Sequence, residues 1–206
     1  MIAPMSIYQL KPRFQALLRP LVRRLHGAGA TANQFTLAAC AVSVALGLWL
    51  LLAAPPRAAF ALVPAWMFVR MAFNAVDGML AREFGQKSAL GAFLNELTDV
   101  LSDAALYAPF ALVAPFGPLG VGLVIVLAGL SEFAGALGPT VGATRRYDGP
   151  MGKSDRAFVF GALGLYVAVG APLPAAAGLL MPLLAVLVAW TVANRIRRAL
   201  GEIATA

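Results

Sequence analysis

The sequence predicts an all-α integral membrane protein: a six-transmembrane-helix bundle preceded by an N-terminal amphipathic helix lying in the membrane interface. Three observations predict it. Apolar residues make up 61% of the 206-residue chain and its mean hydropathy is +0.81, far above the usual share for a soluble domain. Six apolar runs, at approximately 34–54, 58–81, 89–114, 118–140, 155–173 and 176–194, each come near the roughly twenty residues that cross a bilayer. Basic residues gather at the ends of these runs. Fourteen of sixteen fall in the N-terminal segment, the second and fourth connections and the tail, against Arg57 alone in the opposite connections, with Arg70 inside a span. By the positive-inside rule both termini and those connections face the cytoplasm.

In order along the chain, residues 7–25 place Leu10, Phe14, Leu17, Leu18, Leu21 and Leu25 at helical spacing, with Lys11, Arg13, Arg19, Arg23 and Arg24 interleaved. That is the pattern of a basic helix anchored on anionic lipid, and His26 closes it. Gly27 to Ala30 break the helix, and Thr31 or Asn33 caps the first span. Pro55 and Pro56, Pro115 and Pro118, and Pro172 and Pro174 punctuate the connections on one side. After Arg198 the short tail is expected to fray. The chain reads as a single domain, 1–206, with the interfacial helix in 1–30 and the six-helix bundle in 31–198. The first long apolar run follows a basic segment of about thirty residues, so the first span is expected to act as insertion signal and to stay.

Composition excludes other classes. The net charge of +7 sits beside apolar runs and suits lipid headgroups and a phosphate-bearing substrate, and no nucleic-acid motif accompanies it. Cys40 is the only cysteine; it permits no intrachain disulfide and reads as core packing. A transporter would put the intramembrane charges on an ion path, but the inverted repeat or broken-helix pair often seen in transporters is lacking.

One stretch concentrates charge where a membrane makes it expensive: Asn74 to Asp103 holds Asp77, Arg82, Glu83, Lys87, Glu96, Asp99 and Asp103. Asn74 and Asp77 are three apart on one expected helix; Asn95, Asp99 and Asp103 are four apart on the next. Each set lines one helical face. The short polar connection Gly85-Gln86-Lys87-Ser88 makes the two helices antiparallel neighbours whose faces meet. Converging oxygen side chains suit a hard divalent cation completed by water and substrate phosphates. Gly78, Ala81 and Gly91 leave the cleft wall without bulk, so a large ligand can approach the backbone.

The run Asp77-Gly78-x-x-Ala81-Arg82, eight residues, then Gly91-x-x-x-Asn95-x-x-x-Asp99 resembles the signature of the CDP-alcohol phosphotransferases, D-x-x-D-G-x-x-A-R, eight residues, G-x-x-x-D-x-x-x-D. Every gap agrees; Asn74 and Asn95 stand at the first and third acids. Thr31-x-Asn33-x-x-Thr36 likewise resembles the T-P-N-x-x-T that often opens the first span in that family, with Ala32 for proline. The resemblance implies an integral-membrane enzyme of phospholipid synthesis, in a bacterial inner (cytoplasmic) membrane, that moves a phosphatidyl group from a CDP-alcohol such as CDP-diacylglycerol to a small or lipid acceptor alcohol and releases CMP. It implies Mg²⁺ or Mn²⁺ held by Asn74, Asp77, Asn95 and Asp99, with Asp99 as general base and Asp77 beside it as the second catalytic acid. It makes Gly78, Ala81, Arg82 and Gly91 the nucleotide-binding residues, and a homodimer the expected assembly. Two asparagines halve the carboxylates of the cluster, since an amide carbonyl ligates a cation but brings no charge; metal binding is therefore expected to be weaker. The alternative is a catalytically impaired member acting as a lipid- or nucleotide-binding regulator.

Outside the signature, Arg70 shares a face with Asn74 and Asp77 and is expected to pair with Asp77 or a substrate phosphate. Asp103 lies one turn beyond Asp99. Glu132, an intramembrane acid among small residues, can be protonated, pair with Arg70 or reach the acceptor. In the fourth connection, Arg145, Arg146, Lys153 and Arg156 surround two glycines and a proline at the start of a span. This is a candidate acceptor- or phosphate-binding site, although a topological signal alone would also explain the charges. Gly152-Lys153 resembles the Gly-Lys found there in phosphatidylglycerophosphate synthases, which points to an acceptor bearing negative charge.

Overall fold

The structure, a computed structural model, describes residues 7–205. Residues 1–6 and 206 of the expected domain, and the side chains of residues 7–11, lie outside the described residues. Among the described residues every regular element is helical: α1 (Ile7–Gly27), α2 (Ala32–Leu52), α3 (Leu62–Glu83), α4 (Ala89–Tyr107), α5 (Gly117–Leu137), α6 (Lys153–Val169) and α7 (Leu180–Ala204). Each expected apolar run is a helix. Four segments, Ala32–Leu52, Arg57–Glu83, Gly117–Val141 and Ala175–Ala204, are long and apolar enough to cross a membrane by length and composition. α4 spends hydropathy on Glu96, Asp99 and Asp103, and α6 has only 17 residues.

Local chemistry sets the helix starts. Thr31 caps α2 in a reciprocal box with Gln34: the Thr31 hydroxyl accepts from the Gln34 amide at 3.3 Å, and the Gln34 carbonyl accepts from the Thr31 amide at 2.9 Å. Ser88 caps α4 by accepting from the Gly91 amide at 2.9 Å. The tail departs from expectation. It does not fray after Arg198; α7 continues to Ala204, and Glu202 accepts from Thr144 at 2.9 Å and Arg146 at 2.8 Å.

Two apolar clusters hold the bundle. The larger one fills the end away from the signature, where Tyr107 stacks on Phe160 at 3.9 Å between ring centroids and Phe60 and Phe110 close around them. The smaller seats Val22 of α1 against Val76, Met79 and Leu80 of α3, with Leu18 and Leu25 beside it, while Leu17 and Leu21 of the expected apolar stripe are exposed. α1 is also tied by Arg19, paired with Glu83 at 2.9 Å. α2 and α4 approach closely at Gly47, where a Cβ would lie 2.1 Å from the Ala105 carbonyl oxygen; such small-residue contacts replace hydrophobic driving force between helices in lipid. Outward-facing Phe93, Phe133, Phe158 and Trp190 remain exposed, as a lipid-facing surface requires.

Candidate active site

Because successive helices alternate in direction, the start of α2, end of α3, start of α4, end of α5, start of α6 and end of α7 gather at one end of the bundle. Most of the ionised side chains collect there. A cavity of about 500 Å³ is lined by Thr36 of α2, Asp77, Gly78, Ala81 and Arg82 of α3, Lys87 of the connection, and Gly91, Asn95 and Glu96 of α4. The Asp77 carboxylate is buried and accepts the Thr36 hydroxyl at 2.9 Å. A side chain at Gly78 would sit 2.6 Å from the Arg82 guanidinium, so this glycine makes room for Arg82 to fold back along the cavity wall.

A second cavity of about 380 Å³ adjoins the first at Asn95 and Glu96, which line both. Asp99, Glu132, Arg145, Lys153, Asp155 and Arg195 complete its charged wall. Asp99 is in the wall of the second cavity and not of the first. It is held by Arg70 at 2.8 Å and by Lys153, and both Asp99 and Lys153 act electrostatically on Asp77. Asn74, half-buried on α3, is not in the wall of either cavity.

The remaining expected residues separate. Arg70 pairs with Asp99 and, at 2.5 Å, with Asp103 rather than with Asp77. Glu132 pairs not with Arg70 but with Arg156 at 2.8 Å and Arg195 at 3.3 Å. Of the four cations in the α5–α6 connection and at the start of α6, Arg145 and Lys153 line the second cavity. Arg146 turns to Asp148 and Glu202, both at 2.8 Å. Arg156 is buried behind the wall, where it also donates to the Ser131 hydroxyl and the Met151 carbonyl at 3.1 Å. Sequence reasoning missed three wall residues. In the sequence Thr36 belongs to the opening motif, Glu96 to the charged stretch and Arg195 to the basic residues of the tail; only the helical register of each relative to its neighbours points inward.

Among the described residues no group of three or more His, Cys, Asp or Glu side chains forms a ready-made metal cage. The donors present still fit a hard divalent cation, which is commonly held by one or two carboxylates together with substrate phosphate oxygens. Asp77, which accepts from the neutral Thr36 hydroxyl, is the better placed of the two acids; Asp99 already faces two cations.

Residues 30–195 match the family described as CDP-alcohol phosphatidyltransferase. The chain belongs to that family. The chain is 47% identical over 196 residues to the inner membrane protein YnbA of Escherichia coli (strain K12), a match covering 95% of this chain and 97% of that one. It is 32% identical over 119 residues to the archaetidylinositol phosphate synthase of Aeropyrum pernix, covering 50% and 58% of the two chains. Among solved structures, Mycobacterium tuberculosis phosphatidylinositol phosphate synthase (PgsA1) with CDP-DAG bound is similar at a TM-score of 0.72 and 24% identity, over 87% of this chain and 92% of that one. The same enzyme in complex with manganese and citrate gives 0.71 at 24% identity, over 87% of each chain. At that identity the likeness speaks for the fold alone, an all-helical bundle.

Proposed function

We propose that this chain transfers the phosphatidyl group of a CDP-linked lipid of the CDP-diacylglycerol type to an acceptor alcohol and releases CMP. The observation that carries the reading is the pair of adjoining cavities, one walled by Asp77 to Arg82 and the other by paired acids and bases, Asp99 among them. In this reading the nucleotide diphosphate enters the first cavity over Gly78 and Gly91, with Arg82 and Lys87 as cationic neighbours. The acceptor enters the second. Its hydroxyl oxygen attacks the β-phosphorus, its proton passes to Asp99, and the bond to CMP breaks. Lys153 and Arg70 hold Asp99 in place until then. Bound Mg²⁺ or Mn²⁺ would supply charge neutralisation at the diphosphate, with Asp77, assisted by Asn95, as its holder.

The PgsA1 structures with CDP-DAG and with manganese support this choice of donor and metal, and YnbA's name supports an inner-membrane location. All six long helices span in this reading, α1 lies in the interface, and the site and both termini face the cytoplasm; a reporter at Ala206 active only outside the cytoplasm would overturn that orientation. A homodimer remains the proposed assembly, testable by the mass of the detergent-solubilised protein. The reaction is tested with purified protein, labelled CDP-diacylglycerol, Mg²⁺ or Mn²⁺ and a panel of alcohols. CMP release should fall at least 10²-fold in Asp99→Asn, the order expected for a lost general base. Nucleotide binding without release from any acceptor would instead support a regulator.

A further inference from the structure

The second cavity is the acceptor's compartment in the transferase reading, and its charge is balanced in an unexpected way. Its wall holds three cations, Arg145, Lys153 and Arg195, against four carboxylates, Glu96, Asp99, Glu132 and Asp155. Each cation ends on an acid: Arg145 on Glu96 and, at 3.8 Å, Glu132; Lys153 on Asp99; Arg195 on Glu132 at 3.3 Å. The Nε atoms of Arg145 and Arg195 have no partner, but both are buried away from an entering ligand. At the start of α6, where backbone amides attract an anion, a carboxylate already stands: Asp155 accepts from the Gly152 amide at 2.9 Å.

A compartment that grips a phosphomonoester needs basic groups with charge to spare. This one has none. A dianion entering it would meet four carboxylates in a partly enclosed space, where like charges repel more than in bulk water. An alcohol with free hydroxyls, or with an ammonium group, meets those same carboxylates as hydrogen-bond acceptors. We infer, resting on the transferase reading, that the acceptor is an alcohol carrying no phosphomonoester, and that Glu96 and Glu132 determine this choice by repelling the phosphorylated form. This departs from the anionic acceptor expected from the Gly152-Lys153 resemblance, since Lys153 is committed to Asp99. Selection by a built-in repulsion is a general route to specificity.

The test offers acceptor pairs that differ by one phosphate: glycerol and glycerol 3-phosphate, inositol and inositol 1-phosphate, serine and phosphoserine. CMP release from CDP-diacylglycerol should be at least tenfold faster with the unphosphorylated member of a productive pair. Glu96→Gln is the informative variant, because among the described residues Glu96 is paired with Arg145, whereas Glu132 anchors buried arginines and its loss endangers folding. In Glu96→Gln the preference should shrink at least threefold, and binding of inorganic phosphate, measured calorimetrically, should tighten relative to the wild type. Faster release with the phosphorylated member of the pairs by wild-type protein, or equal phosphate binding by both proteins, overturns this inference while leaving the transferase reading intact. No CMP release from any member overturns the transferase reading, and this inference with it.

Discussion

Arg70 places a full charge 5% exposed in the middle of α3, and the fold answers it with two carboxylates one turn apart on α4. Its Nη2 reaches Asp99 and its Nη1 reaches Asp103. Removing one member of a buried ion pair leaves the other uncompensated, which costs about 3–5 kcal/mol. Arg70→Met should therefore lower the thermal midpoint of the detergent-solubilised protein strongly, and Arg70→Lys less so; an unchanged midpoint for Arg70→Met would contradict the bridging role. Much of this was legible beforehand. Spacing set Arg70 on the face of Asp77, and Asp103 on the face of Asp99. The partner was not legible, because a helical wheel fixes direction within an element and says nothing about which turn of the neighbour lies opposite. Asp77 accordingly took Thr36 from α2, a residue that no charge pattern marked.

The contact of α2 with α4 depends on Gly47, and helix packing here has no slack. A Cβ at that position would stand 2.1 Å from backbone oxygen, which cannot rotate away as a side chain can. Gly47→Ala is expected to force the helices apart at a cost of roughly 1–3 kcal/mol, the range for overpacking a well-packed core, with a lowered thermal midpoint as the readout. The wedge sits far along α2 from Thr36, so nucleotide binding by the folded variant should stay near wild type. Helix positions were readable from apolar runs and from the caps at Thr31 and Ser88. The end of α7 was not. Past Arg198 the sequence lacks an apolar run, and what holds the last turn is Glu202 docked on Thr144 and Arg146, a long-range contact with no local signal.

Across the whole molecule the helices divide the labour between their ends. One end is an aromatic and aliphatic core around Tyr107, Phe110 and Phe160; the other holds the signature, the two cavities and the paired charges. This polarity follows from antiparallel order acting on helices that each carry their polar residues at one terminus, so the sequence announced which ends would meet. It did not announce how the charges would be shared. Glu132 on α5 is the common counter-ion of Arg156 on α6 and Arg195 on α7, and both guanidiniums are almost wholly buried, at 1% and 2% exposure. A descendant that lost the acid alone would leave Arg195 without its carboxylate and Arg156 with Asp103 at 3.8 Å, so positions 132, 156 and 195 are expected to drift only in concert. A family tree in which the acid comes and goes beneath two constant arginines would deny that dependence.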